Sequence, residues 1–284
     1  MKENNRVLFV GNGIAMQMGI AEKWDTIIKD IAKDYDVELF PDTNNYLPNN
    51  MQIVIATNDN VDKAMAEFCE KLKAISLTDE QKIFGKKILS LPFDKIITTN
   101  YTYELEKSVK NNKLFRCTNP KDFRYKRSDM TLFGYIPINK NKKVWHIHGH
   151  ACACNSVIIG HYYYGKLLSR IQQYISSNMK TWIANQKYGR EHKIVSWVDS
   201  FLTDDVYMFG FGMDLCELDI WWLVCCKKRH FPDSKIYFYV PKWELAENNS
   251  RRLFMNAYGI IIREVECENH SDFYNIILDE LSEI

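Results

Sequence analysis

Short, continuous apolar runs alternate along this chain with longer stretches whose apolar residues recur every three to four positions. The run RVLFV (6–10) leads through GNG into AEKWDTIIKDIAKDY, where Trp24, Ile27, Ile28 and Ile31 share one helical face. The alternation continues with FDKIITT (93–99) before YELEKSVK, then KVWHIHG (143–149), and then DVYMFGF (205–211) before CELDIWWLVCCKKRH. KIYFYV (235–240) precedes RRLFMNAY, and GIIIREV (259–265) precedes SDFYNIILDEL. Each strand candidate is apolar along most of its length instead of at every second residue, as in sheets covered on both faces. The pattern predicts an α/β fold, a Rossmann-like doubly wound and mostly parallel sheet. Two regions exceed ordinary crossovers and are expected to be helical inserts. Around 57–92, Val61–Leu91 reads as two helices about the turn SLTDE, with Thr78 as an N-cap. Around 160–200, a long helix is expected over 162–186. Met51–Ala56 fits a short strand or the start of the first insert, and 111–143 reads as loops with short strands. No repeat or linker divides the chain, so one domain over 1–284 is expected.

Charge and composition narrow the partners. The formal net charge is +1 and no basic run occurs, so nucleic acid is not an implied partner. The longest apolar run, Ile220–Cys226, is too short to span a bilayer, which implies no membrane. The apolar core of MKENNRVLFVGNG is too short for a signal peptide. A cytoplasmic protein is expected, with its eight cysteines reduced. The absence of any C-x-x-C pair argues against a zinc ribbon and leaves the cysteines as small apolar residues.

The chemistry-bearing residues fall where the strands end: Asn12, Asn100, His148 and Asp214. Ligands of doubly wound sheets bind outside those carboxyl ends. Gly11 and Gly13 sit on the first strand-to-helix turn, but Met16 replaces the third glycine of the dinucleotide fingerprint, and a plain tight turn would look the same. Thr98, Thr99 and Asn100 end a buried strand as a helix cap or a ligand contact. Gly210 and Gly212 form a second glycine turn, followed by Asp214 and Glu217 at capping-box spacing. His146, His148 and His150 alternate, which on a continuous strand would place them on one face. Gly149 interrupts that strand, so it should end near His148 with His150 turned away. Hydrogen-bonded strand-end imidazoles, acid–base catalysis and metal ligation all remain open from these residues.

Taken in order, GNGI, FDKIITTNY, HIHG and GFGMDLCELDIWWL resemble the bacterial sirtuin-like NAD-hydrolase domains of anti-phage defence, over nearly the whole chain. The doubled HIHGH, with Asn-Tyr-Thr before it, also resembles the AbiH abortive-infection family. The sirtuin-like resemblance implies NAD as substrate, with no resident metal. It would line Gly11, Asn12 and Gly13 along the dinucleotide and set Asn100 beside the nicotinamide ribose. His148, of the pair His148–Gly149, would be the catalytic histidine. Gly210 and Gly212 would lie near the adenine-side ribose, with Thr99, Thr102, Gly149 and Asp214 also expected to touch the cofactor. Asn100 would hold a water and His148 would take its proton, while nicotinamide leaves from an oxocarbenium-like centre. Two departures stand out. The four-cysteine zinc module of protein-deacetylating sirtuins is missing, and Thr102 stands where an aspartate is usual. The expected activity is therefore an NAD glycohydrolase in abortive infection, controlled by homo-oligomerisation or a defence-system partner. A non-catalytic nucleotide-binding sensor or scaffold is the alternative, and a metal-dependent hydrolase on HIHGH a third.

Overall fold

The structure is a computed structural model that describes residues 5–39, 47–109, 131–190, 192–246 and 249–284. Among the described residues, seven strands make one sheet: β1 (Arg6–Val10), β2 (Lys95–Thr98), β3 (Ile136–Pro137), β4 (Lys143–His146), β5 (Asp205–Phe209), β6 (Ile236–Pro241) and β7 (Ile261–Val265). Their spatial order is β3-β4-β2-β1-β5-β6-β7. All neighbours are parallel except the two-residue edge strand β3, which runs antiparallel to β4. Without β3, the order is that of the doubly wound Rossmann sheet, and the direction of winding reverses between β1 and β5. The expected fold class is the one observed.

Continuous apolar strands are explained by two covered faces. Val7, Phe9, Ile97, Val206 and Met208 point into one core, against helices Trp197–Thr203, Leu218–His230 and the long His161–Lys187. Leu8, Val10, Ile96 and Phe209 point into the other, against helices Asp79–Ser90 and His270–Ser282. A third apolar cluster joins helices Trp24–Asp34, Asn49–Ala56 and Val61–Lys73 to Tyr101, Tyr103, Val157 and Ile159, which follow β2 and β4. Thr78 caps helix Asp79–Ser90 through a reciprocal capping box with Gln81, as expected.

Of the two readings left open for Met51–Ala56, the helical one is found. Three local readings need correction. The stretch expected over 57–92 as one insert is divided: its second helix covers the sheet, while its first packs in the third cluster. The third core strand stops at His146, two residues early, because its partner β2 stops at Thr98 and pairing ends with Ile147 N–H donating to the Thr98 carbonyl. The capping box of Asp214 with Glu217 does not form. Asp214 accepts from Cys216 N at 3.0 Å, and the helix starts only at Leu218. Of the loop-rich stretch 111–143, residues 111–130 lie outside the described residues, and the rest holds β3 and the start of β4.

Candidate active site

A cleft of ≈ 820 Å³, including its open mouth, lies beyond the carboxyl ends of β1, β2 and β4. Its polar lining is Asn12, Glu22, Thr99, Asn100, Thr102, His148 and Glu217. Its apolar wall includes Trp24, Phe68 and Tyr101, with Trp24 and Phe68 each edge-on to Tyr101 at 6.1 Å between ring centres. Such rings suit the flat face of a heterocycle. Tyr101 is fixed by donating to the Ile158 carbonyl at 2.8 Å.

Asn100 is buried two residues past the end of β2, and its amide is oriented by what its nitrogen donates to. Nδ2 donates to the Gly11 carbonyl at 3.1 Å and to the Glu104 carboxylate. Oδ1 has no partner among the described residues. A buried acceptor without a donor costs about 1–3 kcal/mol, so a donor from a ligand or water is the natural complement. Thr102 also donates to Glu104. The residue that stands in place of the expected aspartate therefore holds a carboxylate that arrives from two positions further on. Burial pushes the Glu104 carboxyl above its ordinary value, against the hydrogen bonds from Asn100 and Thr102.

The three histidines part company. His148 lies in the turn after β4, where Gly149 takes φ 85° and lets the chain fold back so that the Ile158 N–H donates to the His148 carbonyl at 2.7 Å. Its Nε2 meets Asp219 Oδ2 at 2.8 Å, and its Nδ1 is 3.4 Å from the Tyr164 hydroxyl. Since a carboxylate accepts, Nε2 carries the proton in the neutral ring and Nδ1 is left as the acceptor. Burial opposes the charged ring, but the Asp219 carboxylate and its hydrogen bond outweigh it, and the pKa lies above the ordinary value. Glu217 stands beside this pair, where burial pushes its carboxyl up to about 7.

His146 faces away from His148. Its Nδ1 meets the Asn100 carbonyl at 2.7 Å and its Nε2 meets Glu106 at 2.8 Å. A carbonyl can only accept, and so can an ionised carboxylate, so both nitrogens donate and the ring is an imidazolium. Burial works against that charge, yet Glu106 wins and raises its pKa. His150 is turned from His148 as expected, but it is buried, with Nδ1 2.5 Å from the Tyr103 hydroxyl. Burial and the neighbouring His146 charge push its pKa down to about 3. His146 and His150 thus share one environment, 5.7 Å apart between ring centres, while His148 belongs to the cleft.

The glycines after β1 and β5 come together through a direct backbone contact. The Gly13 N–H donates to the Gly210 carbonyl at 2.7 Å. A Cβ on Gly11 would lie 2.6 Å from the Gly210 carbonyl oxygen, and one on Gly13 would lie 2.5 Å from the Tyr274 hydroxyl. Both glycines let the turns after β1 and β5 touch. Gly149, Gly210, Gly212 and Asp214 are not among the cleft-lining residues. Gly212 is exposed, and its carbonyl accepts from Arg251. Asn12, Thr99, Asn100, Thr102 and His148 are the expected residues that the fold does bring together. Sequence reasoning missed Glu104 and Asp219 altogether and read Glu217 only as a cap. Their single visible signal was acidity near strand ends, which helix N-termini also explain.

The family model of bacteriophage abortive infection AbiH matches residues 15–240. The chain belongs to the AbiH family. Of the two resemblances seen in the sequence, this one is shown, and the matched span carries every cleft-lining residue except Asn12. Among solved structures, the crystal structure of a Sir2 homologue in complex with NAD is similar, with a TM-score of 0.41 and 11% identity, covering 99% of this chain and 89% of that one. No curated protein matches the sequence. No helix among the described residues of this AbiH chain is long and apolar enough to cross a membrane.

Proposed function

We propose that this AbiH protein acts in anti-phage defence by hydrolysing NAD at the nicotinamide–ribose bond. Family membership supports the defence role. One observation carries the chemistry: Asn100 Oδ1 is a buried acceptor without a partner among the described residues, in the same cleft as a histidine held by a carboxylate. The cleft opens at the carboxyl ends of the strands, where doubly wound sheets take nucleotides. In this reading Asn100 positions the attacking water or a ribose hydroxyl through Oδ1, its Nδ2 being committed to Gly11 and Glu104. His148 Nδ1 accepts the proton, while Asp219 fixes the tautomer and steadies the imidazolium that forms, as the carboxylate does in hydrolase triads. The nicotinamide ring already carries a positive charge and leaves as a neutral amide, so no strong acid is required. The Trp24–Phe68–Tyr101 wall offers the apolar surface for a base or the pyridine ring.

The deciding measurement is free nicotinamide released from NAD by the purified protein. His148→Ala and Asn100→Ala are each expected to slow release about 10²–10⁴-fold. The double variant should be hardly slower than either alone, because both serve one nucleophile. NAD that binds but is never cleaved, under any protein concentration, would favour the nucleotide-sensor reading instead.

A further inference from the structure

His148, Glu217 and Asp219 bring one imidazole nitrogen and two carboxylate oxygens within 4.8 Å of one another. They come from two places in the fold, the turn after β4 and the entry to helix Leu218–His230. Asp219 is fully buried, and while its Oδ2 meets His148, its Oδ1 has no partner among the described residues. Glu217 Oε2, buried at the atomic level, has none either. Two unpartnered carboxylate oxygens beside one imidazole are costly in a low-dielectric setting and call for a cation or a donor.

We propose that these three side chains form a site for a divalent transition-metal ion of the zinc class. The mixed nitrogen and oxygen donors suit zinc better than magnesium, which prefers oxygen alone. Three protein ligands leave a fourth position open. Ligand atoms around a tetrahedral zinc stand about 3.3 Å apart, so the 2.8 Å His148–Asp219 hydrogen bond need only widen slightly as the ion replaces the shared proton. Binding therefore releases a proton to solvent. With the imidazole committed to the metal, hydrolysis stops. That inhibitory consequence rests on the reading of His148 as the base, whereas the binding site itself does not. A protein whose activity would harm its own cell gains a resting state from such an ion.

The test uses the full chain, stripped with a chelator and dialysed. Zn²⁺ is titrated by calorimetry, and Co²⁺ is used as a spectroscopic substitute to separate nitrogen and oxygen ligation from binding by cysteines such as Cys216. The expected result is one ion per chain, with a Co²⁺ spectrum free of thiolate charge-transfer bands. Glu217→Gln and Asp219→Asn, each checked for an intact thermal transition, should weaken binding at least about tenfold. Nicotinamide release by the wild-type protein should fall with the same midpoint as zinc binding. Absence of binding, affinity unchanged in Glu217→Gln, or thiolate bands would overturn the site. If zinc binds as expected but no nicotinamide is released at any zinc level, the hydrolase reading fails and the metal site stands.

Discussion

At the scale of residues, the alternating histidines divide by partner. His146 is the buried cation that neutralises Glu106 and ties the β4 end to the Asn100 carbonyl. His146→Ala would leave Glu106 buried and unpaired, and should cost about 3–5 kcal/mol in chemical denaturation. A loss of activity with unchanged stability would contradict this account and point to direct chemistry by His146. Glu104 gives a pH signature. Its carboxyl lies above the ordinary value in the folded protein because burial outweighs the bonds from Asn100 and Thr102. The folded state therefore holds the proton more tightly. The stabilisation is complete below the unfolded value of about 4.3 and is lost as pH rises through the folded value. Glu104→Gln cannot titrate, so its melting temperature relative to wild type should improve as pH rises from the unfolded value of about 4.3 through the raised folded value. A difference that does not change with pH would show that Glu104 is not the titrating group.

At the scale of elements, the critical feature is the contact between the turns after β1 and β5. The two strands pair in register along their full length, Arg6 with Asp205 through Val10 with Phe209, so the turns that follow must emerge side by side. Only glycine at 11 and 13 lets them do so, given the 2.6 and 2.8 Å approaches a Cβ would make to Gly210. Gly13→Val should therefore lower stability by at least about 3 kcal/mol, with NAD affinity falling alongside. A variant with the wild-type melting transition but no NAD affinity would instead place Gly13 on the ligand path. The same register carries the helix entry at 217–219 towards His148, which the β4 turn presents from across the winding reversal.

At the scale of the whole molecule, the proposed hydrolase activity would call for control from outside the cleft. Helix His161–Lys187 exposes Tyr162 and Ile183, and helix Asp79–Ser90 exposes Ile83. Self-association through these helices is expected to make nicotinamide release rise faster than linearly with protein concentration, and Ile183→Glu should restore proportionality. Sedimentation showing only monomer at full activity would rule this out. The sequence by itself determined the layered sheet, because a strand covered on both faces must be apolar throughout and a crossover helix must be amphipathic. It also determined that Asn100 and His148 lie close to strand ends, each two residues past the last paired residue, because strand ends are where polarity resumes. Only the tertiary structure decided that His148 meets Asp219, 71 residues away, while His146 meets Glu106, 40 residues away. Periodicity reports which residues are buried and which share a face of one element. Strand order and the point where β4 loses its partner decide which loops converge, and no local spacing carries that information.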